Sequence, residues 1–189
     1  MRNYNTFNLN AIWFLIAINV LIFIITLVRP DTIFFLGLQP ANFLHQPWTI
    51  ITNLFVHGGF GHILCNMISL YFLGSFLTRL VGERNFLKVY FAGGVLGNIF
   101  YILLGSPFSI GIGASGAIFA LGGALVIMTP RIPVFVFPIP IPIPLWIAII
   151  LFMLISFLPS IAWQAHFGGL ISGLIAGCFF KKKRRAFYI

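Results

Sequence analysis

The 189-residue sequence has very few charged side chains. They make up 7% of the chain, where a soluble domain carries roughly 25%. Asp31 and Glu83 are its only acidic residues, whereas 60% of all residues are hydrophobic. So few charges cannot cover a water-facing surface. The shortage excludes a soluble globular fold and indicates an integral membrane protein.

Cysteines and membrane-embedded acids are also scarce, which excludes several kinds of site. Cys65 and Cys178 have no metal-ligand spacing and support no disulfide framework. An intramembrane aspartyl protease needs two aspartates within spans, and a proton-coupled transporter is expected to carry charges there. A zinc protease would favour His-Glu-x-x-His, but His57 and His62 are five apart without a glutamate. A three-histidine site with His166 is the remaining metal alternative. We predict no metal and no cofactor.

The positive charge is concentrated near the C-terminal end. Five of the eleven basic residues form the run 181–185, directly after an apolar segment. Such a run is typical of a cytoplasmic segment that binds anionic lipid. Residues 181–189 are therefore predicted to be a basic cytoplasmic tail. The expected partner of this charge is the lipid bilayer and not nucleic acid.

Apolar runs predict a single membrane domain over residues 1–189. At about 20 residues per span, they accommodate six helices, at about 11–28, 61–79, 86–105, 115–129, 144–159 and 165–180. The first run lacks a small-x-small cleavage site and is expected to remain as an anchor. The predicted fold is therefore an all-α, polytopic six-helix bundle.

Basic residues set the expected orientation of this bundle. Ten of the eleven lie on one side of the predicted spans, and only Arg29 lies on the other. The positive-inside rule then places both termini in the cytoplasm. Spans 2, 4 and 6 consequently begin at the extracytoplasmic face.

Two connecting segments are unusual. The connection from Arg29 to Phe60 is far longer than a typical loop of about 4–6 residues, and it is partly apolar. We expect it to lie in the outer membrane interface with Trp48 as an aromatic anchor; a plain extracellular loop is the alternative. The run 138–144 alternates Pro and Ile, and it cannot be helical because proline lacks an N–H. It is predicted to be an extended linker.

Polar residues open spans 2, 4 and 6 at one predicted depth. His62 and Asn66 are four apart and share one helix face. Ser115 opens span 4 and His166 opens span 6. Polar side chains within a span are costly and therefore point to function. Each of them alone is more typical of packing, but their coincidence at one depth predicts an active site.

Small residues predict that spans 4 and 6 pack closely. They recur at four-residue intervals as Gly116, Ala120 and Ala124 in span 4, and as Gly169, Gly173 and Gly177 in span 6. Such ridges let helix backbones approach. The two spans run in the same direction, so close approach would bring Ser115 near His166, as a nucleophile and its base require. We predict a Ser–His dyad without a third carboxylate.

These motifs resemble those of the rhomboid family of intramembrane serine proteases. Gly113-Ala114-Ser115-Gly116 is similar to the GxSG motif, the segment 62–66 to HxxxN, and the segment 165–173 to AHxxGxxxG. The resemblance covers nearly the whole chain. It implies the bare six-helix rhomboid-like core with a membrane-associated first loop, L1.

The resemblance also implies residue roles. Ser115 would be the nucleophile and His166 the base, while His62, Asn66 and the Ser115 N–H would stabilise the oxyanion. Supporting positions are His57, Gly113, Gly116, Phe119, Gly169 and Gly173. Phe119 stands where relatives commonly have tyrosine, and it can still stack on the imidazole. Thr49 and Thr78 also depart from the family pattern, which affects loop stability and gating but not the chemistry.

The expected function is hydrolysis of peptide bonds in or near transmembrane segments of membrane-protein substrates. The site would open to the extracytoplasmic side of a cell membrane. The alternative is a non-proteolytic rhomboid-like scaffold or client-handling factor, which has no reason to retain the Ser115–His166 pair. A small-solute transporter is a third hypothesis.

Overall fold

The computed structural model describes residues 10–136 and 138–186, which are mostly helical. The helices are α1 (Asn10–Val28), α2 (Thr32–Leu36), α3 (Thr49–Thr52), α4 (Phe60–Val81), α5 (Glu83–Leu104), α6 (Ser115–Met128), α7 (Leu145–Ile155) and α8 (Trp163–Ala186). Short 3-10 turns lie at Pro40–Asn42 and Asn53–Phe55. Strands β1 (Pro133–Val134) and β2 (Ile143–Pro144) pair antiparallel. The mostly helical fold agrees with the predicted class.

The described helices suit a membrane environment. Three of them, α1, α4 and α5, are long and apolar enough to cross a bilayer, and α6 and α7 are shorter apolar helices. Large apolar side chains lie on the outside of the bundle, including Phe14, Leu27 and Val28 on α1. An apolar exterior of this extent marks a surface that contacts lipid or another apolar partner. The full count of six spans stays a prediction.

Helix α6 lies at the centre of the bundle, with α4, α5 and α8 packed around it. Every residue from 116 to 125 is buried. Glycine and alanine dominate this stretch, so the neighbouring backbones can come close. Helix α5 approaches α8 in the same way, because a Cβ on Gly97 would lie 2.5 Å from the carbonyl oxygen of Ala165. Helix α1 packs on the outside, against α4.

Helix α7 ends earlier than the predicted fifth span. It stops at Ile155, although the apolar run suggested about 159. The Ser156 hydroxyl donates to the carbonyl oxygen of Phe152 at 2.7 Å, a local bond that competes with further helix. Pro159 then disfavours helical geometry in the residue before it. The helix therefore ends about one turn before the approximate boundary that the sequence suggested.

Helix α8 continues past its predicted end at 180 to Ala186. The first part of the predicted basic tail is therefore helical, and residues 187–189 lie outside the described part of the chain. Lys181 donates to the carbonyl oxygen of Ile127 at 3.0 Å, near the C-terminal end of α6. A cation there satisfies a terminal carbonyl and the helix dipole. This contact gives one physical reason for the longer helix.

Helix α5 begins at Glu83, a few residues before the predicted start at 86. Gly82 separates α4 from α5 with φ +84°, a conformation that favours glycine. The carboxylate of Glu83 then lies in the first turn of α5, where the helix dipole favours negative charge.

The segment between α1 and α4 is folded over the bundle. Leu38 and Gly111 exchange backbone hydrogen bonds of 2.9 and 2.8 Å. Trp48 is partly exposed and donates its indole N–H to the carbonyl oxygen of Phe35 at 2.9 Å. The tryptophan thus helps to hold this segment together, while its role as a membrane anchor stays a prediction.

The proline-rich run takes no helical structure, as predicted. Pro144 pairs with Pro133, and Ile143 pairs with Val134, so the run closes a short hairpin between α6 and α7. Residue 137 lies outside the described part of the chain.

Candidate active site

The small-residue ridges of α6 and α8 meet in register. A Cβ built on Gly169 would overlap the carbonyl oxygen of Gly116, and one on Gly173 would overlap that of Ala120. Gly177 repeats the contact one turn further along, against Ala124. The two backbones therefore touch over three turns. The packing predicted from the sequence is confirmed.

This packing brings Ser115 and His166 into direct contact. The Ser115 Oγ lies 2.6 Å from Nε2 of His166, within hydrogen-bond distance. His166 is 8% exposed, so the pair is largely sheltered. Ser115 is also the first residue of α6, where backbone N–H groups have no acceptor within the helix. A hydroxyl, an imidazole and the first backbone N–H groups of a helix thus converge at one point.

Phe119 holds the imidazole from one side. It lies one turn after Ser115 on α6, and its ring stacks on His166 with centroids 4.5 Å apart and planes 22° apart. The predicted stacking is confirmed.

Neither acidic residue of the chain supports the pair. Asp31 binds the exposed Arg29 at 3.2 Å, and Glu83 begins α5. The hydrogen bond from Arg29 lowers the pKa of the Asp31 carboxyl below its ordinary value.

Ser156 lies where a third catalytic residue would carry a carboxylate. Its Oγ is 2.7 Å from Nδ1 of His166. The sequence reasoning missed Ser156, although it is the only hydroxyl-bearing residue between 130 and 159.

His62 faces the segment that leads into α6. A Cβ on Gly113 would lie 2.7 Å from its Nε2, and Gly113 has φ +115°, so glycine is needed there for two reasons. The Gly58 N–H donates to Nδ1 of His62 at 3.4 Å. The ring is thereby assigned as the tautomer with hydrogen on Nε2, directed toward Gly113.

Asn66 and His57 lie beside His62. Asn66 is buried and donates one amide hydrogen to the His62 carbonyl oxygen at 2.8 Å. His57 is 1% exposed and meets the His62 ring edge-on at 4.9 Å between centroids. Neither ring nitrogen of His57 has a hydrogen-bond partner among the described residues. These three side chains form a polar cluster next to the Ser115–His166 pair.

A pair of buried asparagines, also missed, fixes the same region. Asn53 and Asn98 exchange amide hydrogen bonds of 2.9 and 2.7 Å, and Asn98 also donates to the Ile50 carbonyl oxygen. The backbone carbonyl oxygen of Asn53 accepts a hydrogen bond from the backbone N–H of Gly113. Both asparagines line a small cleft that Ser115 also lines. The signal in the sequence was Asn98, a polar residue within a predicted span.

Comparison with known proteins identifies the family. Residues 44–183 match the family model described as the Rhomboid domain. The chain belongs to the rhomboid family. As a member of this family with apolar helices, it is a membrane protein, in agreement with the prediction from composition.

Several relatives of this rhomboid are similar over much of its length. The Bacillus subtilis protein YdcA, which carries the rhomboid name, is 33% identical over 159 residues, covering 82% of this chain and 78% of its own. Rhomboid protease GluP of the same organism is 30% identical over 172 residues, covering 85% and 33%. The mitochondrial Rhomboid protein 1 of Saccharomyces cerevisiae is 28% identical over 201 residues, covering 95% and 56%. The chain thus spans well under two thirds of these last two relatives, and protease activity is supported at the level of the family.

The rhomboid fold gathers all the residues that the sequence singled out. His166 contacts both Ser115 and Phe119, and His62 lies close to Gly113 in the approach to α6. The remaining members either pack beside His62 or form the helix contact: Asn66, His57, Gly116, Gly169 and Gly173.

Proposed function

We propose that this rhomboid is an intramembrane serine protease that cleaves membrane-protein substrates in or near their transmembrane segments. The observation that carries the proposal is the 2.6 Å contact between the Ser115 Oγ and Nε2 of His166. A weak nucleophile next to a base is the arrangement that covalent catalysis requires. The pair lies at an end of α6 and α8, where their glycine ridges hold the backbones together.

The reaction follows from this pair. His166 accepts the Ser115 proton at Nε2 as Oγ attacks the substrate carbonyl carbon. The tetrahedral intermediate collapses when His166 returns that proton to the leaving amine, which breaks the C–N bond and leaves an ester on Ser115. Water then attacks the ester with His166 again as the base. Release of the carboxylic acid product restores the serine hydroxyl.

Three groups support an oxyanion site in this proposal. The Ser115 N–H lies at the N-terminus of α6, where the helix dipole favours negative charge. His62 carries hydrogen on Nε2, toward Gly113. Asn66 has a second amide hydrogen beyond the one given to His62. Donors fixed before the reaction stabilise the developing charge without reorganisation.

The membrane setting completes the proposal. Six spans with both termini in the cytoplasm would open the site to the extracytoplasmic side. The segment between α1 and α4 would lie in the outer interface, with Trp48 at the lipid headgroups. The expected partners are a transmembrane protein substrate and the surrounding bilayer. The alternative is a non-proteolytic rhomboid-like scaffold.

A fluorophosphonate probe tests the proposal without knowledge of the substrate. Purified wild type in detergent should be labelled, whereas Ser115→Ala and His166→Ala should not. Ser106→Ala, in the exposed connection before α6, serves as a control and should label like wild type. A folded wild-type protein that takes no label would favour the scaffold. Labelling that persists in Ser115→Ala would contradict the assigned nucleophile.

A further inference from the structure

Ser156 carries a buried hydroxyl that takes no part in the proton transfers described above. It follows directly after α7 and is 2% exposed. Its Oγ has two close neighbours, the carbonyl oxygen of Phe152 at 2.7 Å and Nδ1 of His166 at 2.7 Å. Both distances are those of good hydrogen bonds.

The hydroxyl has a single hydrogen, and this settles the direction of both bonds. A carbonyl oxygen can only accept, so the Ser156 O–H donates to Phe152. The contact between Oγ and Nδ1 therefore needs its hydrogen from the imidazole, with Nδ1–H as the donor. A neutral imidazole with hydrogen on Nδ1 has none on Nε2. Nε2 is then free to accept the Ser115 hydrogen at 2.6 Å.

We propose that Ser156 is a positioning residue that holds His166 in the tautomer and orientation needed to act as the base. The proposal rests on the protease function above. The Ser156 hydroxyl, supported by the Phe152 carbonyl, takes the place that a carboxylate occupies in a three-residue catalytic set. It stabilises the protonated imidazole through a neutral acceptor, and Phe119 fixes the ring plane from the side.

The last turn of α7 holds the Ser156 side chain in this arrangement. The Phe152 carbonyl accepts both the Ser156 N–H at 3.0 Å and its O–H at 2.7 Å, which fills both of its lone pairs. The Ser156 side chain is thereby turned back along α7, and its Oγ faces Nδ1 of His166 on α8. Helix α7 buries Leu145, Ala148 and Ile149 in its first half, and Ser156 provides a polar contact at its other end.

Comparison of a threonine variant with a valine variant at position 156 isolates the contribution of the hydroxyl. Ser156→Thr and Ser156→Val add nearly the same volume to this buried position, and only the threonine keeps the hydroxyl. We expect Ser156→Val to react with the fluorophosphonate about ten- to hundredfold more slowly than Ser156→Thr, because the lost bond supports a charged imidazolium in the transition state. With a transmembrane peptide substrate, kcat should fall and KM should not. Equal rates for the two folded variants would overturn the proposal.

A second measurement does not depend on activity. Nitrogen-15 NMR of labelled histidines at pH 8 reports which ring nitrogen carries hydrogen, and a His166→Gln spectrum assigns the signal. Wild type should show His166 protonated at Nδ1 only, and Ser156→Ala should shift the signal toward the other tautomer. Hydrogen on Nε2 in wild type, or an unchanged tautomer in Ser156→Ala, would overturn the proposal. A wild type with the expected tautomer that takes no fluorophosphonate would count against the protease function alone.

Discussion

At the scale of single residues, the proposed oxyanion site depends on hydrogen-bond donors that are not already engaged with other protein atoms. Asn66 is 6% exposed and donates one of its two amide hydrogens to the His62 carbonyl oxygen, which leaves the second hydrogen for another acceptor. A buried amide with unused bonding capacity is costly unless something completes it. The proposed oxyanion would be the missing acceptor for its second hydrogen.

Removal of this amide should therefore lower the catalytic rate more than it lowers the stability of the fold. We expect Asn66→Ala to lose about 10²–10³ in kcat, the usual effect of one oxyanion donor, with KM little changed. The measurement is turnover of a transmembrane peptide, together with thermal unfolding. Leu64→Ala, on an exposed part of the same helix, is the control. Near-normal turnover in folded Asn66→Ala would remove Asn66 from the oxyanion site.

The sequence predicted some of these residues and not others, for a physical reason. Ser115 and His166 lie beside ridges whose four-residue rhythm fixes the relative height of two helices. Phe119 was predicted from the resemblance to the rhomboid family, in which the residue four positions after the serine is commonly a tyrosine. Ser156 has no such rhythm around it, and its contact with His166 depends on how α7 packs beside α8, which no repeat in the sequence specifies.

At the scale of elements, the close approach of α6 and α8 depends on backbone contacts along the glycine ridge. The space at Gly169 is already filled by the Gly116 carbonyl, and that at Gly173 by the Ala120 carbonyl. A backbone carbonyl cannot rotate away as a side chain can. Any added Cβ must therefore push the helices apart, and Ser115 moves away from His166 with them.

Gly173→Ala should consequently lower both stability and activity, although it lies two turns from His166. Overpacking of this kind costs about 1–3 kcal/mol, and we expect a lower thermal midpoint with slower fluorophosphonate labelling. Gly61→Ala on α4 is the matched control, since nothing lies within 4 Å of its added Cβ. Unchanged stability in Gly173→Ala, or an equal loss in Gly61→Ala, would contradict the account.

A second connection between elements is the Asn53–Asn98 pair. It joins the segment before α4 to α5, and the Asn53 carbonyl holds Gly113 in the approach to α6. Substitution of either amide leaves the other buried without its partner, which costs roughly 1–3 kcal/mol. The losses in unfolding free energy caused by the two single substitutions should therefore not be additive.

A double-mutant cycle measures this coupling. Asn53→Ala and Asn98→Ala should each destabilise the protein, and the double variant should be little worse than the more damaging single variant. The readout is the free energy of unfolding in detergent, where coupling between contacting residues typically reaches about 0.5–3 kcal/mol. Strictly additive losses would show that the two amides act independently.

At the scale of the whole molecule, α6 is the element around which the bundle is arranged. Its run of small residues made a close contact with α8 predictable. The contribution of α5 was not predicted, although Gly93 and Gly97 are four residues apart and share one helix face. Gly93 meets Ala120 on α6, and Gly97 meets Ala165 on α8. One face of α5 therefore packs against two helices, and a single pair of glycines in the sequence does not specify this.

The position of Ser115 at one end of α6 makes the orientation of the molecule decisive for which compartment the site faces. The connection before α6 carries the exposed Phe108, and the connection after it carries the exposed Arg131. Basic residues favour the cytoplasmic side. We therefore expect the end with Phe108, and Ser115 with it, to face away from the cytoplasm.

Single cysteines at these two positions test the orientation in intact cells. In a background with Cys65→Ser and Cys178→Ser, Phe108→Cys should react with a membrane-impermeant maleimide, because its connection lies outside. Arg131→Cys should react only after the membrane is permeabilised. The two positions flank one helix, so they must give opposite results if α6 crosses the bilayer, and each controls for the other. The reverse pattern would place Ser115 at the cytoplasmic face, and reaction of both would mean that α6 does not span.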